Sequence, residues 1–191
     1  MTVREEQKEK RREVILWAAL DLFIRKGYGN TKIADIASAA DMSMGLLFHY
    51  YKSKEKLYEE LIRIGSEKLK MEFAFSNESP LSVFRTAAED IFEMLAKNPF
   101  SAKMFVLMEN AQHSDSLPPD VKELLLESNR LVKKSIPVIK KGQMLGEIRA
   151  GNAETLAITF WCSIQGIAQY IALRPEAPCP NSDLIISLLA G

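Results

Sequence analysis

The chain of 191 residues is long enough to bury a substantial core in one large or two small domains. With 47% hydrophobic and 26% charged residues it reads as a soluble globular protein. A formal net charge of zero excludes a global nucleic-acid signature. Even so, residues 1–56 hold 11 Lys or Arg against 8 Asp or Glu, leaving 14 against 17 for the rest, so a slight basic excess sits at the N-terminal end.

The first residues, MTVREEQKEKRREV, are charged and lack the apolar centre of a signal peptide, which predicts a cytoplasmic protein. A first helix is expected from Arg4 to Lys26, with an apolar stripe at Val14, Ile15, Ala18, Leu22 and Phe23 and Gly27 as its C-terminal cap. Its basic start interleaves Lys8, Lys10, Arg11 and Arg12 with Glu5, Glu6, Glu9 and Glu13, spacings that favour ion pairs within the helix over contact with DNA.

Residues 31–54, TKIADIASAADMSMGLLFHYYKSK, predict two short helices joined by a tight turn. Ile33, Ile36, Ala37 and Ala40 form a single buried stripe, and Asn30 or Thr31 can cap the start. Asp41 marks the turn, because Asp enters the left-handed backbone region more readily than most residues with a Cβ. Ser43 then caps a second helix. Leu47 and Tyr51 face the first, while Met44, Gly45, Leu46, Phe48, His49 and Tyr50 lie on the other face. After Lys52, Ser53 can cap a long helix through Lys54, Leu57, Tyr58, Leu61 and Ile62 as far as Phe75. This layout is that of a DNA-reading helix-turn-helix, although the same motif can also serve as a plain packing unit.

Helical patterning continues to the end with no strand alternation or repeat. Helices are expected at 81–97 and 99–112, and the second leads into the polar turn HSDSLPP. One long helix should then run from Pro118 and Pro119 to Ile139, kinked at Pro137. KKGQMLGEIRAGN reads as a loop. Helices at 153–173 and 182–189 follow, separated by RPEAPCPN. The fold class is therefore all-α. Residues 1–52 form a three-helix DNA-binding domain, and residues 53–191 form a larger helical bundle joined to it without a flexible linker.

Residues 155–173 contain no charged side chain and reach the lower length limit for a membrane span. Thr159, Ser163, Gln165 and Gln169 are unfavourable there and the flanks lack a basic cluster, so a buried helix of a soluble protein is the better reading. Such a helix needs cover on two sides. Small residues at Ser163, Gly166 and Ala168 would let a second copy approach, which predicts a two-fold dimer through about residues 153–190.

Gly27-Tyr28, Thr31, Ile36-Ala37, Ala40, Ser43, Gly45, Leu47, Tyr51, Lys52, Ser53, Lys54, Glu55 and Leu57 stand in one unbroken register that resembles the DNA-binding domain of the tetracycline-repressor (TetR) family. The resemblance implies DNA contacts from Thr31, Ser43, Met44, Gly45, Leu46, Phe48, His49, Tyr50, Lys52 and Lys54. Lys52 and Lys54 would serve as phosphate clamps. Four departures alter the family pattern: Asp41 replaces a turn glycine, Leu46 stands where a small polar residue is frequent, Phe48 replaces a tyrosine, and Tyr50 stands where histidine is frequent. Leu46 could meet a thymine methyl group.

The resemblance also implies a dimer on a palindromic operator and a small-molecule pocket within the bundle. Phe92, Met104, Phe105, Met108, Gln112, Trp161 and Gln165 are candidates for an apolar ligand, with Asn110 and His113 as further polar handles and Phe73 among the apolar residues. Plain core is the alternative for the apolar members. No Ser/His/Asp arrangement or glycine-rich phosphate loop suggests an enzyme. Cys162, Cys179, His49 and His113 have no spacing suited to a metal, so no cofactor is expected. A DNA-binding protein without a small ligand is the rival reading.

Overall fold

The computed structural model describes residues 2–68, 79–112, 117–128 and 130–191. Among the described residues ten helical segments appear in this order: α1 Val3–Lys26, α2 Ile33–Ala39, α3 Met44–Tyr50, α4 Lys54–Lys68, α5 Pro80–Lys97, α6 Pro99–Gln112, α7 Pro119–Ser128, α8 Arg130–Met144, α9 Ala153–Leu173 and α10 Ser182–Ile186. The all-α expectation holds.

Local chemistry sets most of the boundaries. Thr2 accepts from the Glu5 amide at 3.3 Å while the Glu5 carboxylate accepts from the Thr2 amide, a reciprocal pair that starts α1. Gly27, with φ of 80°, ends it. Pro80 and Pro99 open α5 and α6, where a missing N–H costs nothing.

One expectation is corrected in the middle of the chain: α8 runs on to Met144, so residues 140–144 are helical and not loop. Pro137 lies inside α8, where it can offer no N–H to the Lys133 carbonyl one turn back. At the other end α10 stops at Ile186. The tail beyond it is pinned to the loop after α8: Arg149 N–H donates to the Leu189 carbonyl at 2.8 Å, and Gly191 N–H to that of Glu147 at 3.2 Å. The stretch of the expected fourth helix from 69 to Phe75, and His113, lie outside the described residues.

Two cores form. The first gathers Ile15, Leu20 and Phe23 of α1 with Ile36, Leu47, Leu57 and Leu61, and it takes in Met104, Leu107 and Met108 of α6 together with Val121 and Leu125 of α7. The second packs α5, α8, α9 and α10 around Phe84 and Phe160, whose rings meet edge to face at 5.0 Å. α6 contributes to both, so it couples the N-terminal helices to the bundle.

By length and composition α9 is apolar enough to cross a membrane. One face of it is nevertheless committed to protein: Ala157, Phe160, Trp161, Ile164 and Ala168 are buried, and the Trp161 indole donates to the Ser135 hydroxyl at 2.8 Å.

Candidate nucleic-acid interface

α2 and α3 are held at a fixed angle by the turn between them. Asp41 has φ of 52°, in the left-handed region, and the Met42 N–H donates to the Ala37 carbonyl at 2.9 Å. Ser43 begins α3 as expected, its hydroxyl accepting from the Leu46 amide at 3.2 Å. The cap of α2 differs from expectation. Lys32, neither Asn30 nor Thr31, occupies it, and its N–H donates to the Asp35 carboxylate at 3.4 Å.

Thr31 explains why. It is buried, and its hydroxyl donates to the Gly27 carbonyl at 2.8 Å with the Leu22 carbonyl 3.2 Å away. A side chain drawn back onto the end of α1 cannot cap α2. Thr31 is therefore a strut between the end of α1 and the start of α2.

α3 offers a surface to a partner. Leu47 is its one buried member and anchors it to the first core. Met44, Gly45, Phe48 and His49 are exposed; Leu46 and Tyr50 are half-buried. His49 and Tyr50 rings meet edge to face at 5.7 Å. A Cβ built on Gly45 would meet nothing within 4 Å, so the protein's own packing does not require glycine there. Tyr51 closes the helix from below. It is buried, and its hydroxyl accepts from Arg12 Nε at 3.3 Å, while Arg12 also pairs with Glu60. Burial pushes the Tyr51 hydroxyl up to about 12, despite the opposing pull of Arg12. Arg12, expected to pair within its own helix, does so with Glu9 at 3.6 Å and also reaches across to α4.

Lys52 is exposed directly after α3. Lys54, by contrast, has its ammonium turned to Tyr28: it donates to that carbonyl at 2.9 Å and lies 4.2 Å from the ring centroid. Tyr28 in turn stacks at 4.5 Å on Tyr58 and donates to Glu55 at 3.1 Å. Burial, and then the Glu55 carboxylate, raise the Tyr28 hydroxyl well above its ordinary value. One cation missed by sequence reasoning is Lys32, exposed where α2 begins. Its position at a helix start beside the turn was the available signal.

Residues 15–61 match the family described as bacterial regulatory proteins, tetR family. The chain belongs to the TetR family. It is a DNA-binding transcriptional regulator of that family, and its α2–turn–α3 unit falls wholly inside the matched segment. The HTH-type transcriptional repressor KstR2 of Mycolicibacterium smegmatis is 39% identical over 57 residues, which cover 30% of this chain and 28% of that protein. The transcriptional regulator RutR of Escherichia coli strain K12 is 27% identical over 168 residues, 84% of this chain and 74% of RutR. The fold is shared over nearly the whole length with the ketosteroid transcriptional regulator KstR2 of Mycobacterium tuberculosis, with a TM-score of 0.78 and 20% identity covering 95% of each chain. MbdR of Azoarcus sp. CIB gives 0.73 at 20% identity, over 94% of this chain and 97% of MbdR.

The bundle does not bring the seven expected ligand residues into one place. Phe92, Phe105 and Trp161 belong to the second core, whereas Met104 and Met108 sit in the first. Gln112 and Asn110 are exposed, so neither serves as a buried polar handle. Gln165 already donates to the Glu109 carboxylate. Helical spacing placed these residues on helices correctly but could not say which core each helix face would join.

Proposed function

We propose that the chain acts in the cytoplasm as a homodimeric repressor, binds a palindromic operator through α3, and is released by a small apolar ligand held in the bundle. The observation that carries this reading is the exposed, almost uncharged surface of α3, rigidly capped at Ser43 and bolted down through Leu47 and Tyr51. A helix so presented fits the major groove, with Leu46 and Met44 suited to thymine methyl groups and His49 and Tyr50 to polar edges. Phe48 supplies ring surface without a hydroxyl. Gly45 leaves room for a phosphate backbone to come close, and Lys52 and Lys32 offer it charge.

The dimer reading rests on the outer face of α9. Ile158, Tyr170 and Leu173 are exposed on α9 and Leu184 on α10, the last 64% accessible. Thr159 and Ser163 hydroxyls donate to carbonyls four residues back, at 2.9 and 2.7 Å, so these two hydroxyls are satisfied within the helix. An uncharged face of this kind suits a second copy of itself. Two α3 helices would then span half-sites about 34 Å apart or a multiple of it.

The ligand reading rests on the α4–α6 crossing. At Gly65 a Cβ would lie 2.5 Å from Met108 Sδ and 3.0 Å from Met104 Cγ, so the two methionines press on the α4 backbone. Next to them the Ser66 hydroxyl is buried with no hydrogen-bond partner among the described residues. An apolar ligand that displaced these flexible side chains would tilt α4, and with it α3, through Tyr28 and Tyr58. A coupling of about 1–3 kcal/mol would change operator affinity roughly five- to 150-fold. The test is sequence preference: Leu46→Gln and Phe48→Ala should each change the DNA that is selected while the fold is retained. An unchanged preference in both variants would remove α3 as the reading element.

A further inference from the structure

A cavity of about 170 Å³ lies away from the Met104–Met108 contact, in the corner where the ends of α5 and α9 meet the start of α6. Its wall is mainly aliphatic, with Leu95, Ala102, Ile171 and Ala172 the principal contributors from the second core. Two lining side chains carry polar atoms, Cys179 and Lys103. The Cys179 thiol is already directed at the Phe92 carbonyl, 3.7 Å away. Among the described residues Lys103 is then the one charged member of the lining. An aliphatic cavity of about 150 Å³ stays dry and accepts benzene, so this space suits a single ring or a short branched chain.

Lys103 also lines the open groove on α1, beside Trp17 and Asp21. Its ammonium pairs with the Asp21 carboxylate and lies 5.4 Å from the Trp17 ring centroid. Asp21 has a second cation in Arg25, 3.3 Å away on the next turn of α1. Lys103 thus joins the cavity to a partly buried ion pair that ties the bundle to the helix on which the DNA-reading unit is built.

We propose that this cavity binds a small apolar carboxylate, whose anionic group takes Lys103 from Asp21 and loosens α1 from α6. Two carboxylates on one ammonium repel each other, and Asp21, unlike the ligand, keeps an alternative cation in Arg25. The exchange therefore runs toward the ligand. Its effect on DNA rests on the repressor reading; binding itself does not.

The test uses the full chain alone first, with benzoate, benzamide and toluene as probes and thermal stabilisation and calorimetry as readouts. Benzoate should stabilise more than benzamide. Lys103→Met should abolish that advantage while toluene still binds, which also shows that the variant is folded. Asp21→Asn should tighten benzoate binding by about two- to fivefold, because the competing carboxylate is gone. Absence of stabilisation by benzoate, or equal benzoate binding by the wild type and Lys103→Met, overturns the site. In a second arm benzoate should weaken DNA binding by the wild type. Benzoate that binds without changing DNA affinity overturns the release of α1 and leaves the repressor reading standing.

Discussion

Lys54 Nζ donates to the Tyr28 carbonyl at 2.9 Å and lies 4.2 Å from the centroid of the Tyr28 ring. The first residue of α4 is thereby fastened to the corner between α1 and α2, and any tilt of α4 is carried to the DNA-reading unit. Lys54→Ala should lose about 1 kcal/mol of stability through this contact, as well as weakening DNA binding. Lys52→Ala should leave stability unchanged and reduce the slope of log affinity against log salt by about one unit. Urea denaturation and anisotropy titrations over a salt series separate the two lysines. A Lys52→Ala variant with the wild-type slope would remove it as a phosphate contact.

Thr31→Val keeps the shape and removes the hydroxyl that serves the Gly27 carbonyl at 2.8 Å. The expected cost is about 1–2 kcal/mol, measured by denaturation. Folded Thr31→Val should show the same salt dependence as the wild type, since the hydroxyl is buried against the end of α1. A reduced slope would restore the contact that burial argues against.

Alkaline unfolding should begin in the first core. Burial pushes the Tyr51 and Tyr58 hydroxyls up to about 12, above an unfolded value of about 10. The folded state holds these protons more tightly, so their contribution is complete below about pH 10 and is lost as pH rises toward 12. Tyrosinate absorbance should therefore rise together with loss of helical circular dichroism in that window. At the acid end the signs reverse. The Asp35 carboxyl is held low by Lys26 and then by the Lys32 amide, and that of Glu55 by Ser53, so both favour the folded state above about pH 4 and lose that effect as pH falls further. Tyrosinate appearing at the unfolded value with helices intact would contradict the burial of both rings.

Gly166 is exposed at the middle of the uncharged face of α9, where a Cβ meets nothing within 4 Å. Gly166→Arg should therefore leave the monomer folded and place like charges at a two-fold contact. Sedimentation should report a monomer, and DNA affinity should fall by at least about tenfold as the second recognition helix is lost. A Gly166→Arg protein that remains dimeric would move the interface elsewhere.

Where the determinants are local, the chain could be read directly. Ser43 as a cap, Asp41 in the left-handed region, and the burial of Leu47 and Tyr51 all follow from neighbours within one or two turns. The α2 cap was misplaced because the decisive bond, Thr31 to the Gly27 carbonyl, turns that side chain away from its own helix. Distant pairs left no trace in the spacing: Arg12 meets Glu60 across 48 residues and Lys103 meets Asp21 across 82. The ligand candidates failed to converge for a similar reason. A stripe of Phe and Met identifies an apolar helix face, but which core takes Phe92 and which takes Met108 depends on how α6 is wedged between the two.

Selection of bound duplexes from a random DNA pool is the decisive measurement. One inverted repeat should be enriched, with half-site centres about one helical turn or a multiple apart, and the consensus should shift when Leu46→Gln is used. No enrichment above background, or a consensus without two-fold symmetry, would contradict a dimer that reads an operator through α3.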